Sequence, residues 1–233
     1  MSKPVTLITG TRKGIGKFLA HYYVQKGHQV IGCSKKQPEW ELNNYQHFLA
    51  DVSNEIDIQK MFQVVKKEYG RLDYLLNNAG IAAMNHSLLT PMSSVRNILN
   101  TNILGTFLLC CEATRLMARN KFGRIVNFTS IATPLKISGE AIYAASKASV
   151  NSLTQILAYE LADIGITINA VGANPIYTDM IRNVPKEKLD AVLQRQAIKR
   201  FAEFEDITNV VDFFLLESSS FITGQIIYLG GIS

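Results

Sequence analysis

A chain of 233 residues, 47% hydrophobic and 18% charged, is long enough to bury one sizeable core and too apolar to be a disordered tail, so residues 1–233 are expected to fold as a single domain. Its formal charge of +5 and pI of about 9.0 fit an anionic partner, yet no block of Lys and Arg exceeds two in a row, and without an aromatic-and-basic motif nucleic acid is not expected. No apolar run reaches the roughly 18 residues of a membrane span, and three cysteines and four histidines lack metal-ligand spacing, so no metal is expected.

Met1-Ser2-Lys3-Pro4 leads directly into an apolar strand over residues 5–9, which leaves no room for a signal peptide and predicts a soluble, cytoplasmic protein. Next comes Thr9-Gly10-Thr11-Arg12-Lys13-Gly14-Ile15-Gly16, opening a helix over 15–26. Strand, glycine loop and helix stand in the order a dinucleotide site needs. Gly10 permits a tight turn, Gly14 a close approach to pyrophosphate and Gly16 close packing, and the helix start offers N–H groups to the anion. The spacing is G-x-x-x-G-x-G rather than G-x-G-x-x-G, and by itself a glycine-rich turn without a ligand remains open.

Further strands are predicted over 29–33, 47–50, 74–77, 124–129, 167–171 and 226–228, and helices over 55–69, 92–119, 143–163 and 206–217. The crossover from Lys35 to Tyr45 contains Pro38 and no apolar stripe, so its helix is expected to be short or absent. Alternation of strands and helices predicts an α/β, doubly wound Rossmann fold: one seven-stranded parallel sheet with helices on both faces and its ligand at the carboxyl edge. Cys110 and Cys111, neighbours on a helix, suit core filling better than a disulfide.

Tyr143 and Lys147 stand four residues apart on a predicted helix, so a phenol and an ammonium share one face. An ammonium about 4 Å away is worth roughly 1 kcal/mol in water and roughly 4 kcal/mol at a partly buried site. That is about one to three pKa units, enough to bring a phenol that titrates near 10 toward neutral pH. Alone, such a pair is more often a packed ring beside a solvated amine.

With the glycine loop, this pair and Ser130 thirteen residues before Tyr143, the chain resembles the short-chain dehydrogenase/reductase superfamily, most closely its single-domain, 3-oxoacyl-[acyl-carrier-protein] reductase-like members. Asp51-Val52, Asn77-Asn78-Ala79-Gly80, Asn102 in NTNILGTF, RIVNFTS, Asn169-Ala170-Val171, Pro175-Ile176, Thr178 and FITGQ extend the resemblance nearly end to end. It implies an enzyme that reduces a carbonyl to an alcohol, with Tyr143 as general acid, Lys147 as its tuner and ribose ligand, Ser130 orienting the carbonyl and Asn102 in a proton relay. It implies a nucleotide cofactor held by Gly10, Thr11, Arg12, Lys13, Gly14, Ile15 and Gly16, by Asp51 and Val52 at adenine, by Asn78, Ala79 and Gly80, by Tyr143 and Lys147, and by Pro175, Ile176 and Thr178.

The second strand ends Ser34-Lys35-Lys36 without the carboxylate that would repel a 2′-phosphate, so NADPH is expected over NADH, with Lys13, Ser34 and Lys35 near that phosphate. Substrate choice is expected to lie in residues 81–90, 131–140 and 177–200. There His86 is a surface or substrate histidine, and Lys186, Lys188, Arg195, Lys199 and Arg200 face either solvent or an acidic carrier protein. The chain departs from its relatives at Ala173-Asn174, where Asn174 is expected to take a left-handed conformation in place of glycine, and at Leu229. Apolar residues on several faces of 92–119 (Ile98, Ile103, Phe107, Leu108) and 143–163 (Val150, Leu153, Leu157, Leu161) predict a homodimer or homotetramer. A reductase of sugars, polyols or secondary metabolites and a dinucleotide-sensing regulator are the alternatives.

Overall fold

Seven strands pair in parallel in the order β3-β2-β1-β4-β5-β6-β7 in a computed structural model that describes residues 3–178, 182 and 184–232. In chain order the elements are β1 (Val5–Thr9), α1 (Gly14–Gln25), β2 (Gln29–Ser34), β3 (Tyr45–Leu49), α2 (Glu55–Tyr69), β4 (Tyr74–Asn77), α3 (Met92–Leu99), α4 (Gly105–Met117), β5 (Gly123–Ser130), α5 (Ala132–Leu135), α6 (Ala141–Leu161), β6 (Ile166–Ala173), α7 (Lys186–Gln194), α8 (Phe204–Leu215) and β7 (Ile226–Tyr228).

Successive strand residues face opposite ways, and both faces are apolar. Leu7, Ile31, Leu75, Ile125 and Ile168 meet α2, α4 and α6. Ile8, Val30, Leu76, Val126 and Val171 meet α1 and α8. Each of these leucines and isoleucines is fully buried, a gain of about 2 kcal/mol apiece over exposure. Strand order reverses between β1 and β4, where the carboxyl ends leave a crevice.

The expected sheet is present, and the crossover at residues 35–44 contains no helix. Three expectations are corrected. Residues 92–119 are not one regular helix: α3 passes into a π-helical turn, Asn100–Leu104, before α4. Helix α7 and the single-turn α5 were not anticipated. On α6, Val150, Leu157 and Leu161 are buried, Leu157 and Leu161 in the core beneath the sheet, while Leu153 is partly exposed and the exposed large apolar side chains are Ile156 and Tyr159.

Candidate active site

At the amino end of the crevice Gly10 and Gly14 have φ of 74° and 58°, a region that favours glycine. A Cβ on Gly16 would lie 2.3 Å from the Gly10 carbonyl oxygen, so only glycine lets α1 start against the loop. No side chain caps α1 and its first turn holds no acid. Its leading N–H groups, with Arg12 and Lys13 beside them, therefore fit an anion such as a pyrophosphate. Asn78 Nδ2 donates to the Thr9 carbonyl at 2.8 Å and Ala79 N to Thr9 Oγ1 at 2.8 Å, which ties the β4 turn to the glycine loop. Across the crevice, Thr178 packs beside Gly14.

Beyond β2 the geometry differs from expectation. Lys35 and Asp51, expected to meet different parts of one cofactor, are an ion pair at 2.6 Å. Burial would raise the Asp51 carboxyl, but Lys35 and the Ser53 amide and hydroxyl outweigh it and hold it below the usual carboxylate range. Ser34 hydrogen-bonds the Lys36 carbonyl at 2.7 Å and His47 Nε2 at 3.0 Å. Val52 is buried.

At the centre, Ser130 ends β5 and Tyr143 lies in the first turn of α6, near enough that the serine hydroxyl favours the ionised phenol. The Lys147 amine is buried, donates to the Phe128 carbonyl at 2.7 Å, and is pushed down to about 8 by that burial. Asn102 sits in the π turn, a geometry that often marks functional sites. Its side chain accepts from Ile81 N at 2.9 Å and donates to the Ile81 carbonyl at 3.0 Å and to Ser146 Oγ at 2.9 Å. A Cβ on Gly80 would meet Lys147 Nζ at 3.2 Å and Asn102 Oδ1 at 3.5 Å, so Gly80 lets the two converge.

The expected lowering of the phenol is corrected. Burial raises Tyr143 above its ordinary value, the nearby Ser130 hydroxyl lowers it, and the charge of Glu140 raises it again, to a net increase. Lys147 does not offset this because its amine is turned to Phe128.

A family model described as enoyl-(acyl carrier protein) reductase matches residues 10–232. The chain is 33% identical to the 3-oxoacyl-[acyl-carrier-protein] reductase FabG of Staphylococcus epidermidis over 235 residues, 97% of this chain and 96% of that one. The chain belongs to the short-chain dehydrogenase/reductase family. Among solved structures, ElxO with NADP bound is 30% identical, with a TM-score of 0.88 over 98% of this chain and 97% of that one. The ligand-free aldohexose dehydrogenase of Thermoplasma acidophilum is 27% identical, with a TM-score of 0.89 over 98% and 93%.

A short-chain dehydrogenase/reductase is an oxidoreductase acting between CH–OH and C=O, and this chain's departures from the family pattern meet each other. Asn174 keeps a negative φ rather than the expected left-handed one. Its buried Nδ2 donates to Gln196 Oε1 at 2.5 Å, and both amides press on Gly230, next to Leu229. The segment 177–200, expected to choose the substrate, thus returns to the end of β6, and Ala202 N closes its base on the Pro175 carbonyl at 3.1 Å. Its residues 179–181 and 183 lie outside the described residues.

Elsewhere His86 caps a single 3-10 turn, and Arg200 pairs with Asp206 through two hydrogen bonds of 2.7 and 2.8 Å. Pro175 and Ile176 follow β6, and Ile176 packs in the core. Sequence reasoning missed Ser146, which stands on the next helical turn after Tyr143, accepts from Asn102 and donates to the Tyr143 carbonyl at 2.7 Å. Glu140, the last residue of the expected substrate stretch 131–140, is half-buried at the head of α6; burial raises its carboxyl and Lys188 of α7 lowers it, to a net increase.

Proposed function

We propose that this short-chain dehydrogenase/reductase is an NADPH-dependent reductase that converts a ketone of the 3-oxoacyl thioester kind to a secondary alcohol, with Tyr143 as general acid. The observation that carries it is the convergence of Lys147 and Asn102 at Gly80, with Ser130 and Tyr143 alongside, on the edge that also holds the glycine loop. Bound NADPH would supply the hydride. Tyr143 gives its proton to the carbonyl oxygen while Ser130 holds that oxygen, and the raised phenol pKa keeps the proton in place until then. Lys147, its amine held by the Phe128 carbonyl with the polar edge of Asn102 alongside, would bind the cofactor ribose, and the phenolate regains its proton from solvent.

The cofactor preference rests on Ser34, Lys35 and Lys36 ending β2 where a carboxylate would repel a 2′-phosphate, and the substrate class on the likeness to FabG. Carrier-protein docking would fall to the cations of and near α7 other than Arg200. Exposed Leu104, Phe107, Ile156 and Tyr159 on the outer sides of the π turn, α4 and α6 support a homodimer or homotetramer. A mass by light scattering near the 25.9 kDa of one chain contradicts it.

A reductase of a hydroxylated carbonyl such as a sugar is the second reading. Glu140 favours it, because a half-buried carboxyl near the proton donor would accept hydrogen bonds from substrate hydroxyls. NADPH and NADH oxidation against acetoacetyl thioester, quinones, small diketones and keto-sugars separates the two. Equal catalytic efficiency with both nucleotides rules out the preference for NADPH.

A further inference from the structure

Where a crossover helix would lie, residues 35–44 bring aromatic side chains onto the glycine loop. Trp40 packs its ring against Tyr45 and His21 with centroids 4.7 and 4.8 Å away, and its Nε1 donates to the Arg12 carbonyl at 3.1 Å. Tyr45 and His47 stand on the edge strand β3, on the same face. Tyr45 reaches across β2 to the loop, over Gly32. A Cβ there would lie 2.1 Å from the Tyr45 hydroxyl oxygen and 2.4 Å from Thr11 Oγ1, so the crossing requires glycine.

Four side chains then form one hydrogen-bonded row. Thr11 Oγ1 is 2.7 Å from the Tyr45 hydroxyl, that hydroxyl 2.6 Å from His47 Nδ1, and His47 Nε2 3.0 Å from Ser34 Oγ. Proton directions follow from one end. Ser34 donates to the Lys36 carbonyl at 2.7 Å, so its oxygen accepts from His47 Nε2–H. Nδ1 is then the acceptor of the Tyr45 proton, and Tyr45 accepts from Thr11. The row suits neutral histidine, which agrees with burial lowering His47. Protonated His47 would have two donors and turn Tyr45 around.

We infer that Tyr45 and His47 are positioning residues for cofactor selectivity, locking the glycine loop at Thr11 to the β2 tip at Ser34 so that the pocket for the ribose 2′-substituent is pre-formed. This rests on the reading that a 2′-phosphorylated nucleotide binds between these two segments. Neither residue reaches the substrate centre. Their effect is on the distance between Arg12 and Lys13 on one side and Ser34, Lys35 and Lys36 on the other. A 2′-phosphate spans that gap, and a bare 2′-hydroxyl depends on it less.

The chain has one tryptophan, and Trp40 touches the loop itself, so its fluorescence reports binding without turnover. Adenosine 2′,5′-bisphosphate and adenosine 5′-monophosphate are titrated against the parent, His47→Phe, Tyr45→Phe and His47→Gln. His47→Phe is expected to weaken the bisphosphate about tenfold and the monophosphate less than about twofold, the scale of one lost hydrogen-bonded link. Tyr45→Phe, which removes only a hydroxyl, shifts the same ratio in the same direction. His47→Gln, whose amide still donates to Ser34, restores part of it. If His47→Phe does not fold, the other two variants decide. A parent that binds both nucleotides equally overturns the NADPH reading and this inference with it. A parent that discriminates, with variants that discriminate as well or lose both nucleotides equally, overturns the inference alone.

Discussion

The Lys35 ammonium lies 2.6 Å from a carboxylate oxygen of Asp51, so two residues expected to grip different parts of a cofactor's adenosine grip each other. Both are partly solvent-exposed, and such a pair is worth about 1 kcal/mol or less. A phosphate that accepts two or more charge-assisted hydrogen bonds competes with it easily. Lys35→Ala is therefore expected to raise KM for NADPH about tenfold and to change KM for NADH less than about twofold. Unchanged KM for NADPH would place the 2′-phosphate elsewhere.

Lys147 carries a cost that its chemistry requires. Its amine is held near 8 rather than 10.5, so the folded protein binds fewer protons than the unfolded chain between those values. The penalty is complete below pH 8 and is relieved as pH rises toward 10.5. Lys147→Met is expected to melt no lower than the parent at pH 7, and by as much as several degrees higher, because a buried cation is replaced by an apolar side chain. The same variant should be inactive. A marked loss of thermal stability at pH 7 contradicts this assignment.

Acid sensitivity should begin with the histidines. Burial lowers His21, His28 and His47, with Lys17 and Lys26 adding to the first two. Where the unfolded chain binds protons that the native state refuses, stability rises with pH. Urea midpoints are expected to fall as pH drops below about 6.5, and His47→Gln should flatten that fall. A midpoint constant from pH 7.5 to 5.5 sinks the prediction.

Asn102 joins the π turn to α6 through Ser146 and to the β4 loop through Ile81. Asn102→Ala leaves buried groups unpaired at about 1–3 kcal/mol each, or about 2–4 °C per kcal/mol for a chain of this size. Ser146→Ala removes one of those links and should cost less in melting temperature. If activity depends on the convergence at Gly80, kcat falls further in Asn102→Ala than in Ser146→Ala. Equal kcat in both denies Asn102 a role beyond structure.

The sheet was legible because both its faces carry Val, Ile and Leu in short runs, a pattern that parallel strands share with few alternatives. The missing helix at residues 35–44 was legible from Pro38. The π turn was not, since one extra residue per turn leaves the apolar pattern of residues 92–119 nearly unbroken. Helix α7 escaped because Leu189, Val192 and Leu193 are its only large apolar residues, and four of the first five positions are charged. The pairings of Lys35 with Asp51 and of Asn174 with Gln196 join segments that meet only in the fold. The sign of the Tyr143 shift also lay beyond sequence, because it depends on how deeply the hydroxyl is buried and where the Lys147 amine turns.

The most direct test compares Tyr143→Phe with the parent in NADPH-dependent reduction of acetoacetyl thioester, with Trp40 fluorescence reporting NADPH binding in both. The account predicts a loss of about 10²- to 10⁴-fold in kcat/KM with NADPH affinity nearly unchanged. A phenylalanine variant as active as the parent would contradict it.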